Sequence, residues 1–284
     1  MKKFLVFLFF LASTGSIFAN NWKTDYLPDD STKVVSLLKK AATQKNIGNK
    51  MLYFARQLAG VPYVGKTLEK NKQEQLVVNL RQLDCTTFVE TVLALTRSLE
   101  QNKLTFDAFC YNLRMIRYSE GIVSYPTRQH YFTYWIQENE KKGIVKDIQL
   151  PNPPFTAVQN VNTDYMTTHI DLYPMLVQNK ALISNIKAME TSINGMKCRY
   201  IPKNSLNDSK LLRQTIQNGD IIAIITSIKG LDTSHIGIAV WHKDGLHMID
   251  ASSIHKKVIE EPTLMKTYMS KHPSQLGIRI ARPQ

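Results

Sequence analysis

The sequence predicts an α+β protein in which helices come first and antiparallel strands follow. Apolar residues repeat at helical spacing through most of the first two thirds of the chain. From residue 221 onward, short β-branched apolar runs are separated by turn signals. Helices grouped before strands are typical of α+β domains, so we expect helices packed on an antiparallel β-sheet.

Length and charge limit the number of domains and the kinds of partner that we expect for this chain. The chain has 284 residues, 43% of them hydrophobic, which is ample to build a core, and we expect one domain over residues 20–284. The formal net charge is +13. The lysines are scattered rather than clustered with aromatic residues, which argues against a nucleic-acid partner. An anionic polymer of the cell envelope fits better, although a solvated basic surface without a partner would look the same.

The first 19 residues have the layout of a secretory signal peptide. Lys2 and Lys3 precede an apolar run over 4–12, and small and polar residues then lead to Ala19. An uncleaved anchor is the alternative, but the run falls short of the ~20 residues that span a bilayer. We therefore expect a periplasmic or secreted protein that does not span the membrane after cleavage.

The helices follow in chain order from their apolar periodicity. The first has its cap at Asp30–Thr32, and the second runs from Ile47 to Leu58 and ends at the breaker Gly60-Val61-Pro62. A buried helix begins at Cys85, and further helices are expected over 104–118 and 172–191. An aromatic-rich stretch over 130–136 lies between the last two.

The strands are shorter and come mostly later. A short strand is expected at 76–78 within a polar loop, extended chain over 150–163, and a strand over 197–202. A buried strand at 221–225 is followed by strands over 235–241 and 246–251, which the turn Lys243-Asp244-Gly245 joins as a hairpin. Residues 278–280 form a last short strand.

Three residues on these elements could form a nucleophilic site. Cys85 at a helix start and a neighbouring imidazolium would both favour the thiolate form. His235 could be that imidazole, because the hairpin places Asp250 on the same sheet face, where it would orient the ring. Taken alone the signal is modest, since a single cysteine on an apolar helix is more often a core residue.

Several motifs in order resemble the NlpC/P60 superfamily of papain-like cell-wall amidases and peptidases. They are Gly60-Val61-Pro62-Tyr63, Asp84-Cys85, Ser234-His235-Ile236-Gly237-Ile238 and Ile249-Asp250-Ala251-Ser252. The runs 84–90, 116–136 and 230–237 resemble its N-acetylmuramoyl-L-alanine amidase-like branch, the DUF1460 family. The resemblance covers residues from about 50 to the C-terminus and implies a papain-like fold with the nucleophile at a helix N-terminus.

The resemblance implies roles for individual residues. Cys85 would be the nucleophile and His235 the general base and acid, while Tyr63 would help to position the substrate. The third position departs from the pattern, because Asp250 stands where relatives commonly have histidine. A carboxylate can orient an imidazole equally well, and His247 on the opposite strand face is the alternative.

The aromatic stretch offers candidate substrate-binding residues. Arg128 could bind a carboxylate, and His130 lies on a segment that borders the cleft in the branch this chain resembles. Ser234, next to His235, completes the predicted binding set. Trp135 and Phe132 are equally compatible with packing in the core. We expect no cofactor and no metal, because the seven histidines lack a zinc-ligand spacing.

The resemblance thus implies a cysteine amidase that acts on peptidoglycan or muropeptides, and the branch it points to favours the bond between N-acetylmuramic acid and L-alanine. Two alternatives remain: an endopeptidase that cuts between γ-D-glutamate and diaminopimelate, and a non-catalytic peptidoglycan-binding module. Cys110 and Cys198 could form a disulfide in a secreted protein.

Overall fold

A computed structural model describes residues 22–41 and 43–284. The predicted signal peptide at 1–19 lies outside the described residues. Helices and a mostly antiparallel sheet make up the fold, which confirms the α+β prediction.

Within the described residues, the main sheet contains eight strands, and all of its pairs are antiparallel. Seven strands follow the order β4-β5-β10-β6-β7-β8-β9, and β3 pairs with part of β10. The strands are β3 (Val145–Ile148), β4 (Ala157–Asn160), β5 (Lys197–Pro202), β6 (Ile221–Thr226), β7 (Thr233–Trp241), β8 (Leu246–Ser252), β9 (Lys257–Glu260) and β10 (Gln275–Pro283). A separate parallel pair joins β1 (Thr24–Asp25) to β2 (Leu76–Val77).

Helices cover both faces of the sheet. The long ones are α1 (Pro28–Lys40), α2 (Ile47–Gln57), α3 (Cys85–Glu100), α4 (Phe106–Arg117), α5 (Phe132–Lys141) and α8 (Leu182–Ile193). Short ones are α6 (Tyr165–Thr168), α7 (Pro174–Gln178), α9 (Lys210–Thr215) and α10 (Met265–Ser270). Helix α3 packs against α2 and α4 and also against β7 and β8.

The central strands bury both of their faces. Along β6, Ile221 and Ala223 belong to the core shared with α1–α5, whereas Ile222 and Ile224 pack on the opposite side with α9 and α10. Burial of apolar side chains on both faces explains why β6 reads as a continuous apolar run rather than an alternating one. A third apolar cluster joins α6–α8 to Tyr125 and Tyr131.

The structure differs most from the sequence prediction at the C-terminus. The expected short strand at 278–280 is a nine-residue strand, β10, which pairs with β3, β5 and β6. Its role as a central strand depends on pairing with segments far away in the chain.

The three cysteines are all free. Cys110 lies in the core around α3, whereas Cys198 lies in the cluster around α8, so the disulfide considered between them is not formed. Within residues 22–41 and 43–284, no helix combines the length and apolar character needed to cross a membrane.

Candidate active site

Cys85 is the first residue of α3, and local hydrogen bonds fix the helix start beside it. Asp84 is the N-cap: its carboxylate accepts from the Thr87 N–H at 2.8 Å, and its own N–H donates to the Thr87 hydroxyl at 2.9 Å. This capping box satisfies two otherwise free donors. The half-buried thiol therefore lies at the positive end of a 16-residue helix, where a thiolate is stabilised.

His235 and Asp250 share one face of the sheet. In the register of β7 and β8, Ile238 lies opposite Ile249, which places Asp250 opposite Gly237 and diagonal to His235. His235 Nε2 lies 2.6 Å from Asp250 Oδ2, and the side chains are 12% and 1% exposed. Since the carboxylate only accepts, Nε2 donates, which leaves Nδ1 for the thiol.

The imidazole contacts Cys85 as well as Asp250. Burial alone would lower the pKa of His235, but the negative charge of a Cys85 thiolate, its hydrogen bond to the ring and the Asp250 carboxylate outweigh burial and raise this pKa to about 10. The protonated ring is therefore favoured whenever the sulfur is a thiolate. Chemically, a thiol beside such a ring is an arrangement that could serve as a nucleophile with a proton donor next to it.

Tyr63 lies beside the thiol. The Tyr63 backbone N–H donates to Lys256 O at 2.9 Å. The Tyr63 backbone also forms an isolated parallel β-bridge with Leu83, two residues before the first residue of α3. Burial, with smaller contributions from Cys85 and Asp84, raises the pKa of Tyr63 to about 12. The phenol therefore stays protonated at neutral pH and can donate a hydrogen bond.

Two adjoining cavities open around the thiol. One of about 200 Å³ is lined by Cys85, Ser234 and His235, and the other, of about 210 Å³, by charged residues. Four residues line both: Thr86, Gln129, His130 and Tyr173. A larger cavity of about 720 Å³ lies between the start of α2 and the turn before β6. None of the residues that line it belongs to the thiol–imidazole pair, so the two smaller cavities form the candidate active site.

His130 lies in the wall between these two cavities. Its Nε2 is 2.8 Å from Tyr125 O, a carbonyl, so this nitrogen donates, and the ring packs against the Tyr125 ring. Burial and the neighbouring Arg128 charge lower the pKa of His130 to about 3. It is thus a neutral ring at the cleft, with Nδ1 as an acceptor.

Arg128 is buried in a closed network of charges. Its guanidinium donates to Glu69 and to Glu74, the latter at 3.2 Å, and lies 4.8 Å over the Tyr125 ring. Nearby, Arg117 Nε donates to Glu90 Oε2 at 2.6 Å. We call Arg117, Arg128, Glu69, Glu74 and Glu90 the arginine cluster.

The other predicted residues take different places. Ser234 is exposed at the mouth of the first cavity, and its hydroxyl is 3.5 Å from Ile224 O. His247, the alternative to Asp250, lies on the opposite face of β8. There its ring contacts Glu261 O and Asp244, so it does not approach His235.

Sequence reasoning did not single out three residues that line the cleft. Thr86 and Gln129 are each next to a predicted site residue, and that adjacency could have indicated them. Tyr173 reaches the cleft from the start of α7, and its segment carries only a helical pattern, which gives no local signal.

Comparisons with known proteins support an amidase assignment. The family model described as N-acetylmuramoyl-L-alanine amidase-like (AmiA-like) matches residues 53–278. The crystal structure of an N-acetylmuramoyl-L-alanine amidase from Bacteroides uniformis is 35% identical, covers 84% of this chain and 99% of its own, and superposes with a TM-score of 0.78. No match was found among curated proteins.

Two further solved structures are similar. A putative xylanase from Bacteroides fragilis is 33% identical over 81% of this chain and 99% of its own, with a TM-score of 0.75. A Legionella pneumophila protein with the DUF1460 family model is 23% identical over 90% of this chain and 94% of its own. Its TM-score of 0.67 shows a shared fold.

Proposed function

Because the chain belongs to the N-acetylmuramoyl-L-alanine amidase-like family, we propose that it is a cysteine amidase that hydrolyses the bond between N-acetylmuramic acid and L-alanine in peptidoglycan or its fragments. The observation that carries the cysteine mechanism is the alignment of the Cys85 thiol, the His235 ring and the Asp250 carboxylate, with 2.6 Å between the last two. We also propose that the arrangement is papain-like and of the NlpC/P60 type. A cysteine at a helix start facing a histidine on an antiparallel strand supports this.

The geometry supports the following reaction. The Cys85 thiolate attacks the lactyl carbonyl of the muramic acid, and the C–N bond breaks as protonated His235 gives its proton to the departing L-alanine nitrogen. Water then attacks the thioester while His235, now neutral, takes up one of its protons. The C–S bond breaks, which restores the Cys85 thiolate beside protonated His235, and the product leaves as a carboxylate after giving its proton to solvent. Asp250 keeps Nε2 protonated, so that Nδ1 faces the reacting atoms throughout.

Two groups are candidate donors to the developing oxyanion. The backbone N–H of Cys85 belongs to the first turn of α3 and has no helical carbonyl to bind. The Tyr63 hydroxyl, protonated because of its raised pKa, is the second candidate donor. His130 and Ser234 in the cavity wall would contact the substrate. Arg128 would act indirectly, by holding the segment that carries His130, because its guanidinium is already engaged by two carboxylates.

The similarity to a putative xylanase points to a different chemistry, and the cleft argues against it. Glycoside hydrolysis commonly uses two carboxyl groups that flank the scissile bond. The carboxylates that line the two cavities are already engaged: Asp84 caps α3, Asp232 accepts from the Thr133 N–H at 2.6 Å, and Glu69 and Glu90 bind arginines. A thiol–imidazole pair instead suits acyl transfer.

Defined muropeptides analysed by mass spectrometry would test the proposal. The wild-type protein should release a peptide with a free L-alanine amino terminus and an intact sugar. Cys85→Ala should reduce the rate by at least about 10³-fold, because the attacking group is gone. Cys110→Ala, which removes a buried thiol that lines neither cavity, is the matched control and should keep the activity.

Other products would redirect the assignment. Cleavage between D-glutamate and diaminopimelate would replace the amidase by an endopeptidase on the same site. Binding of muropeptides without any cleavage by the wild type would indicate a non-catalytic module. Full activity of Cys85→Ala would exclude the thiol mechanism whichever bond is cut.

A further inference from the structure

A second cluster of potential ligands lies at the far end of the hairpin that carries His235 and Asp250. His242 follows β7, Asp244 lies in the turn, and His247 is in β8. One ring nitrogen of each histidine and a carboxylate oxygen of Asp244 all lie within 4.8 Å of one another. The two rings are stacked, with centroids 4.3 Å apart and planes at 23°.

The hydrogen bonds of His247 make its Nε2 a poor partner for a bare carboxylate. Its Nδ1 is 2.9 Å from Glu261 O, and a carbonyl only accepts, so Nδ1 carries the proton. In the neutral ring, Nε2 then presents a lone pair to Asp244 Oδ1, 3.1 Å away. Two lone pairs at this distance repel unless a positive charge, either a proton or a metal ion, lies beside them. The His247 side chain is only 2% exposed, and its Nδ1 is bound to a carbonyl. Both constraints hold the ring so that Nε2 points in a fixed direction.

His242 has the complementary arrangement. Its Nε2 is 2.6 Å from Glu260 Oε1, and Arg56 holds that carboxylate through two hydrogen bonds of 2.9 and 3.0 Å. A carboxylate partner makes Nε2 the donor and leaves Nδ1 with the lone pair. Histidines that bind metals almost always donate their other nitrogen to a carboxylate or a backbone carbonyl. His242 and His247 show one of these arrangements each.

The geometry points to a binding site for one divalent transition-metal ion at His242, Asp244 and His247. Two imidazole nitrogens and one carboxylate oxygen suit Zn²⁺, Co²⁺ or Ni²⁺, whereas Mg²⁺ and Ca²⁺ prefer oxygen ligands alone. Three protein ligands leave a coordination position for water. The sequence prediction of no metal rested on the spacing of the histidines, whereas the proposed ligands come together at the turn between two paired strands.

This site is separate from the thiol site. His247 lies on the opposite face of β8 from Asp250, and His242 is seven residues along the hairpin from His235. A bound ion would link His242 and Asp244 at the turn to His247, which lies within the paired part of β8 opposite Val240. The ion would therefore stabilise the hairpin that carries the base and its orienting carboxylate, without joining the reaction.

Calorimetric titration with Zn²⁺ would test the site in a Cys85→Ala chain free of tag histidines, since the active-site thiol would otherwise bind the metal. One ion should bind per chain, with a rise in Tm, and Co²⁺ should give visible absorption bands. Asp244→Asn and His242→Gln should each weaken binding by at least about tenfold. Asp244 is 63% exposed, so its replacement leaves folding intact.

The matched control for the Zn²⁺ titration is a histidine outside the proposed site. His272→Gln changes a histidine that donates to Tyr268 O outside the cluster and should bind Zn²⁺ like the parent chain. Absence of Zn²⁺ binding by the parent chain would overturn the proposal and leave a protonated His247 as the explanation for the Asp244 contact. Binding of undiminished strength in both Asp244→Asn and His242→Gln would overturn it as well.

Discussion

Helix α3 contributes one residue to each of two groups of polar and charged side chains. One group faces a cavity, and the other pairs its charges internally. At the first residue of the helix, Cys85 joins His235 and Asp250, and the thiol end of this triad faces a cavity. Five residues later, Glu90 belongs to the arginine cluster, in which arginines and glutamates engage one another. The difference suggests two roles. Cys85, His235 and Asp250 leave the thiol open to a substrate and can take part in a reaction, whereas the arginine cluster has its charges paired internally and holds the wall of the cavity in place.

Asp250→Asn should give the largest effect, on rate rather than on stability. An amide can present its N–H₂ group to His235, favour the wrong tautomer and no longer stabilise the imidazolium. We expect kcat to fall by about 10²- to 10⁴-fold. Since the carboxylate helps to raise the pKa of His235 to about 10, its loss should also move the basic limb of the kcat/KM profile to lower pH.

The control is Asp208→Asn, the same chemical change at an exposed surface pair with Arg213. It should leave both kcat and the pH profile unchanged. An unaltered rate in Asp250→Asn would show that the two regions do not differ in the way proposed, and that another group orients His235.

Arg117→Met should give the opposite result, a loss of stability with little loss of rate per folded molecule. It leaves Glu90 buried without a partner, since both side chains are at most 3% exposed. Removing one partner of a buried ion pair costs about 3–5 kcal/mol of the free energy of unfolding, which urea titration would measure. The double variant Glu90→Gln/Arg117→Met should recover much of this loss.

Arg213→Met supplies the exposed comparison. Its pair with Asp208 is more than one third exposed, so the change should cost less than about 1 kcal/mol. A folded, fully stable Arg117→Met protein that had lost its activity would instead place Arg117 in the catalytic machinery.

The pairing of His235 with Asp250 was predictable from the residues alone because their hairpin is local, whereas distant Cys85 was joined to them mainly through the family resemblance. The turn at Lys243-Asp244-Gly245 fixes the register of β7 and β8, and this register puts His235 and Asp250 on one face. The start of α3 at Cys85 followed in the same way from the apolar pattern after Asp84.

The arginine cluster was not predictable, because its partners are distant in the chain. Glu69 and Glu74 lie in a segment that reads as a polar loop, and only the tertiary structure brings them to Arg128, more than 50 residues away. The sequence therefore left Arg128 as a free cation for a substrate carboxylate. The central position of β10 escaped prediction for the same physical reason, since it depends on long-range strand pairing.

His130 lies between the two regions and gives the most discriminating prediction. Burial and Arg128 lower the pKa of His130 to about 3, so its ring signals in NMR should not titrate between pH 8 and pH 4. The unfolded chain takes up this proton near pH 6.5, whereas the folded chain does not. Stability should therefore fall by up to about 1.4 kcal/mol per pH unit as the pH drops below 6.5, and the slope should be shallower in His130→Gln.

Because His130 should not titrate in this range, it should not shape the pH dependence of the activity. If the ring stays neutral across the working range, the pH dependence of kcat/KM reports the Cys85–His235 pair alone, and His130→Gln should change KM more than the position of either limb. Titration of His130 near pH 6 would mean that water and protons reach the ring and that Arg128 does not control it. In that case the arginine cluster would not isolate His130 from the pH range in which the Cys85–His235 pair works, and the cluster and the triad would not have the separate roles proposed above.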